Sequence, residues 1–105
     1  MQIQINTDHN IHGTEQLATQ VKRVVSDTLS RFSDQITRVE VHLSDQNGNK
    51  RGQSRKRCMM EVRHEHRYPT IVTHDATSLR QAIDGAADKL KRLIESTLGR
   101  QHAFR

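Results

Sequence analysis

Residues 50–57 read Lys-Arg-Gly-Gln-Ser-Arg-Lys-Arg, five cations in eight positions. Side chains of this kind capture phosphate. Lysine acts as a point charge, arginine binds two oxygens at once, and each neutralised phosphate releases counterions. The surrounding segment, 46–67, holds seven Lys or Arg against Glu61 and Glu65, while the rest of the chain carries ten of each sign, so this segment accounts for the whole net charge of +5. A concentrated surplus produces a local field that a dispersed one does not. The competing reading is a solvated loop, and the residues leave the two readings open.

A second set of cations stands near the C-terminus. Lys89, Arg92 and Arg100 fall on one side of a helix, with Ser96 between them and Lys91 on the adjacent row. Ordinary surface charge would look similar, since Asp88 can pair with Arg92 one turn on for only ~0.3–0.5 kcal/mol. Several cations on one stripe fit a contact to phosphate or 2′-hydroxyl, with little sequence readout.

Other residues that could do chemistry are weaker candidates. His64 and His66 in Arg-His-Glu-His-Arg would project to the same side of a strand, with His42 or His74 within reach. A zinc site needs three or four ligands in fixed geometry, and nothing fixes the third, so a polar hairpin end titrating near neutrality is the favoured reading. Cys58 has inward strand parity, which argues for an inert buried thiol. Asp84 and Asp88 form an i, i+4 carboxylate pair without an evident cleft, and general acid–base work needs one. The sequence holds no Gly-rich phosphate loop and no nucleophile elbow. The only aromatics are Phe32, Tyr68 and Phe104, which argues against a base-stacking sheet platform. A lone cysteine excludes an internal disulfide and a thiolate zinc knuckle. No enzymatic activity, cofactor or metal is expected.

These residues must be positioned by a small fold. At 105 residues the chain has room for one domain and one core. Met1, Ile3 and Ile5 alternate with polar residues as in a half-buried strand. From Thr14, a plausible N-cap, Leu17, Val21, Val24, Val25, Thr28, Leu29 and Phe32 recur at three- and four-residue spacing, predicting an amphipathic helix. Residues 36–44 return to alternation, with Val39, Val41 and Leu43 opposite Arg38, Glu40 and His42. After a turn-rich stretch with Gly48 and Gly52, residues 57–65 predict a third strand with Cys58, Met60 and Val62 inward, broken by Arg67–Pro69. Residues 70–74 predict a fourth, with Val72 and His74 inward. Ser78 caps a second helix whose buried stripe runs through Leu79, Ala82, Ile83, Ala86, Leu90, Leu93, Ile94 and Thr97, and Gly99 is expected to stop it.

The predicted class is α+β with the order βαβββα. The long first crossover makes strands one and two parallel, and the short later connections make antiparallel hairpins. Each strand has one apolar face, so both helices pack on the same side of a four-stranded mixed sheet. The other face, with Arg38, His42, Glu61 and Arg63, meets solvent or a partner.

In Ala82–Ile94, the residues Ala82, Ile83, Asp84, Asp88, Lys89, Leu90 and Arg92 match a pattern that resembles the ribosome hibernation-promoting factors. This family is also called the ribosome-associated inhibitor or sigma-54 modulation family. The element order is similar to the family's fold, which is related in shape to double-stranded-RNA-binding domains. The resemblance implies a cytoplasmic protein that binds rRNA of the small ribosomal subunit and blocks the mRNA and tRNA channel during stress or stationary phase. It implies Lys89 and Arg92 as rRNA contacts. Lys50, Arg51, Arg55, Lys56, Arg57 and Arg100 are added from charge and spacing. The length fits the short type, without a C-terminal dimerisation domain. That type implies a monomer off the ribosome, no membrane partner, and a separate ribosome-dimerising factor as a further partner. The alternative is a general structured-RNA-binding or regulatory protein with the same fold and no ribosomal role.

Overall fold

The computed structural model describes residues 1–46 and 55–103, with side chains through Thr97. The elements are β1 (Gln2–Thr7), α1 (Glu15–Leu29), a 3-10 segment (Ser30–Gln35), β2 (Ile36–Asp45), β3 (Lys56–His64), β4 (Thr70–Ala76) and α2 (Leu79–Ala103). The predicted βαβββα order is observed.

The four strands form one sheet in the order β1-β2-β3-β4. β1 pairs parallel with β2, placing Ile3 opposite Val39 and Ile5 opposite Val41. The two later pairings are antiparallel, with Val41 opposite Met60 and Met60 opposite Val72. A parallel neighbour requires a crossover, and α1 supplies it. A register shift between Ile36 and Arg38 lets both Ile36 and Val39 point inward despite their odd spacing. One extra residue in a strand has this effect. Thr37 Oγ1 donates to the Arg63 carbonyl at the same place, 3.1 Å.

Thr14 caps α1 as predicted, its hydroxyl accepting from the Leu17 amide at 3.0 Å. Val21, Val25 and Leu29 on successive turns are wholly buried, and the 3-10 segment then swings Phe32 into the same core. Ser78 caps α2 by accepting from the Gln81 amide at 3.2 Å. Ile83, Leu90 and Ile94 pack from α2 onto Cys58, Met60, Val62 and Val72 of the sheet. Fully burying a side chain of this kind contributes about 1.5–3 kcal/mol, so one shared apolar layer under two helices holds the fold together.

Four sequence expectations are corrected. Met1 lies outside β1 and is 43% exposed, while Ile3 and Ile5 pack against the core. Leu93 is 44% exposed and Thr97 is exposed, whereas Ala87 is buried. Ile94, the next residue, is wholly buried, so Leu93 sits at the margin of the buried stripe rather than beyond the sheet, and Ala87 lies within the stripe; Thr97 lies about one turn past Ile94. Gly99 does not stop α2, which continues to Ala103. Glycine costs a helix about 1 kcal/mol but ends it only where the chain turns left-handed. Finally, β3 runs Lys56–His64, one residue short of the expected end at Glu65, and His66 then takes a left-handed conformation (φ 60°).

Gly85 faces the ring of His74, so His74 points inward as predicted, and a Cβ at Gly85 would collide with that ring. Gly85→Ala is expected to lower stability by up to about 2 kcal/mol. Overpacking costs about 1–3 kcal/mol and the helix gains about 1. In a His74→Ala background the same change is expected to stabilise by about 1 kcal/mol. Urea unfolding of the four proteins checks this, and the same sign in both backgrounds would contradict the contact.

Candidate nucleic-acid interface

The β2–β3 connection leaves one end of the sheet. Its base is closed by the Gln46 amide donating to the Arg55 carbonyl at 2.8 Å. Asp8 braces the same end: its carboxylate accepts from the Asn10 and Asp45 amides, both at 3.0 Å. Lys50 and Arg51 lie outside the described residues. Arg55, Lys56 and Arg57 stand at the start of β3, and none of them is a free cation.

Arg57 and Asp75 are opposite one another in the β3–β4 register. Arg57 Nε donates to Asp75 Oδ1 at 2.8 Å and its Nη2 to Oδ2 at 3.1 Å. Arg55 reaches the same carboxylate, with Nε at 2.9 Å and Nη2 at 2.7 Å from Oδ2. Two guanidiniums share one carboxylate, a net charge of +1. The hydrogen bonds from Arg57 and then Arg55 hold the Asp75 carboxyl well below the usual carboxylate range, and the bond to Asp75 raises Arg57 in turn. Lys56 has the opposite parity and pairs with Asp45 at 2.7 Å.

Lys89 extends from α2 to the outer edge of β4, where its ammonium donates to the Thr73 carbonyl at 2.8 Å. A lysine on an exposed strand edge also discourages edge-to-edge pairing. Thr73 is two residues from Asp75, about 7 Å along a strand. The structure therefore brings Lys89 and the Arg55–Arg57–Asp75 cluster to the same edge. Arg92 lies further along α2, largely exposed and loosely paired with Asp88 at 3.4 Å. α2 runs antiparallel to β4, since Gly85 meets His74 and Lys89 meets Thr73. α2 thus advances toward the β3–β4 end of the sheet, while the Arg92 side chain reaches back to Asp88. Arg100 lies in the last turns of α2, its side chain outside the described residues. Among the described residues, Arg55, Arg57, Lys89 and Arg92 are divided between the start of β3 and α2 rather than gathered in one patch, and Lys56 is turned to Asp45 of β2.

The open sheet face balances its own charge. Arg38 pairs with Glu40 at 3.0 Å, and Arg63 pairs with Glu61 at 3.1 Å and Glu40 at 3.9 Å. The shallow groove between the helices, about 320 Å³, is lined by Asp27, Asp84 and Asp88 against one cation, Lys91. Asp84 and Asp88 are themselves paired with Arg80 and Arg92, at 4.0 and 3.4 Å, so the charge around this groove is largely balanced as well.

His64 and His66 do not lie on one strand face. His64 ends β3, buried, with Nε2 2.9 Å from Thr70 Oγ1. Burial, and then nearby Arg67, push its pKa below the ordinary histidine value. His66 stands in the turn, exposed. Among the described residues no cluster of His, Cys, Asp or Glu could hold a metal ion. Cys58 is buried and its thiol is pushed up to about 12 by desolvation, so it is unreactive at neutral pH. Among the described residues no helix is long and apolar enough to cross a membrane.

Sequence reasoning missed the acids that answer the basic segment. Asp75, Asp45 and Glu40 are remote in sequence and adjacent only through strand register. The signal was present in the parity of the strands.

Two helices on one face of a four-stranded mixed sheet, in the order βαβββα, define an α+β module. The family model described as sigma 54 modulation protein / S30EA ribosomal protein matches residues 3–102, and the chain belongs to that family. This places it among ribosome-associated proteins of the hibernation class. Its structure is similar to the N-terminal domain of Thermus thermophilus Protein Y, with a TM-score of 0.75 and 21% identity over 92% of this chain and 99% of that one. It is also similar to a ribosomal subunit interface protein from Coxiella burnetii, with a TM-score of 0.70 and 13% identity over 94% of this chain and 99% of that one. No curated protein sequence matches the chain.

Proposed function

We propose that this protein binds rRNA of the small ribosomal subunit and occupies the channel used by mRNA and tRNA, repressing translation during stress or stationary phase. Membership of the S30EA family over residues 3–102 carries the reading. The cations that β3 and α2 bring to the β4 edge support it with a surface on which phosphates can lie. The mechanism is steric and non-enzymatic, with affinity drawn from charge and shape rather than base readout. The contacts are Lys50, Arg51, Arg55, Lys56, Arg57, Lys89, Arg92 and Arg100. The protein acts in the cytoplasm as a monomer off the ribosome, and a separate dimerising factor would join ribosomes that it occupies.

Co-sedimentation with purified small subunits across a salt series tests the contact set. Replacing Lys50, Arg51, Lys89 and Arg92 by glutamine is expected to reduce the slope of log affinity against log salt by about 0.7–0.9 per lost contact. An unchanged slope would show that the edge does not face RNA.

A further inference from the structure

Tyr68 is 94% exposed, on the turn between β3 and β4. Single exposed apolar residues are common, but three features of this turn set it apart. First, the backbone of the turn that carries Tyr68 is braced. The Glu65 amide donates to the Gln35 carbonyl at 3.3 Å, His64 meets Thr70 across the base of the hairpin at 2.9 Å, and Pro69 confines the residue before it to extended conformations. Second, the turn borders an open concavity of about 530 Å³ lined by Gln35, Glu65, His66 and Arg67. His66 stands on its rim in a left-handed conformation that non-glycine residues adopt rarely. Third, Arg67 makes no ion pair among the described residues, unlike Arg55, Arg57 and Arg63.

The position also matters. This turn lies at the end of the sheet opposite the β2–β3 connection, and α2 carries Arg92 toward it. A backbone lying along the β4–α2 edge would arrive at this turn. An exposed aromatic residue next in sequence to an arginine that makes no ion pair among the described residues can provide stacking and phosphate capture together. One tyrosine is not a sheet platform, but it is enough for one base.

We propose that the turn Glu65–Tyr68 is a single-nucleotide clamp, in which the Tyr68 ring stacks on an unpaired rRNA base and the Arg67 guanidinium takes the adjacent phosphate. The clamp rests on the rRNA-binding reading above. It adds a contact of a different kind, because stacking does not depend on salt.

The test uses Tyr68→Ala, Tyr68→Phe and Arg67→Gln in the full chain, with small subunits as the probe. The exposure of Tyr68 means that its variants should fold, and unchanged melting curves confirm this. Tyr68→Ala is expected to weaken subunit binding about tenfold at unchanged salt slope, in the range for loss of one stacked base. Tyr68→Phe is expected to bind like the wild type. Arg67→Gln is expected to reduce the slope by about 0.7–0.9. Ultraviolet crosslinking should join the Tyr68 peptide to an rRNA nucleotide. If the wild type binds subunits and Tyr68→Ala binds equally well, the clamp is wrong and the ribosomal reading stands. Equal loss in Tyr68→Phe, or a crosslink to a ribosomal protein, also overturns it. Failure of the wild type to bind subunits removes the ribosomal reading and the clamp with it.

Discussion

An Asp75→Asn protein is expected to bind small ribosomal subunits more tightly and with a steeper salt dependence than the wild type, while unfolding more readily at neutral pH. Asp75 holds Arg55 and Arg57 through hydrogen bonds of 2.7–3.1 Å. Removing its charge takes the local net from one cation to two. One further neutralised phosphate steepens the slope of log affinity by about 0.7–0.9, a gain of several-fold at moderate salt. The stability effect has the opposite sign and a defined pH window. The folded-state pKa of Asp75 is depressed, first by Arg57 and then by Arg55. The stabilisation is therefore complete above the unfolded value of about 3.9 and is lost as pH falls through the lower folded value. Urea unfolding should separate wild type and variant at pH 7 and bring them together in strong acid. Weaker binding by Asp75→Asn would mean that the carboxylate serves to hold the two arginines in their binding geometry. An unchanged slope would mean that the cluster does not meet RNA.

Leu90→Ala is expected to cost about 2–5 kcal/mol, the range for deleting a buried leucine. Leu90 has no exposed surface and packs in the core between α2 and the sheet. For a domain of this size the melting temperature should fall by roughly 10 °C or more. The loss also reaches function, because α2 positions Lys89 and Arg92 along the β4 edge. Leu93→Ala is the control: at 44% exposed it should cost under about 1 kcal/mol. Equal effects at the two positions would contradict the burial of Leu90 and the partial exposure of Leu93.

The alternation in Val39, Val41 and Leu43, and again in Cys58, Met60 and Val62, made the sheet and its buried face legible before any coordinates. Thr14 and Ser78 were legible as caps because their hydroxyls have one obvious use beside an apolar-periodic run. Leu93 was misread because it stands at the margin of the stripe that holds Leu90 and Ile94, and spacing alone does not say where the buried width of a helix ends. His66 was misread as a strand residue because its left-handed turn leaves no mark in residue type. The basic segment was read correctly as charged but not as partly neutralised. Its charge was summed along the chain, whereas a sheet sums charge across strands, where Arg57 meets Asp75 and Arg63 meets Glu40. Lys89 reached the β4 edge only through the antiparallel packing of α2 on β4. Tyr68 was counted among three aromatics and set aside, because exposure on a braced turn is a property of the fold.

Competition on the small subunit tests the central claim most directly. Purified small subunits would be loaded with this protein at near-physiological salt, then challenged with mRNA and tRNA and resolved on a sucrose gradient. The account predicts stoichiometric co-sedimentation that mRNA with tRNA abolishes, and a bound protein that reciprocally lowers tRNA occupancy. Simultaneous, undiminished binding of all three would contradict occupation of the channel.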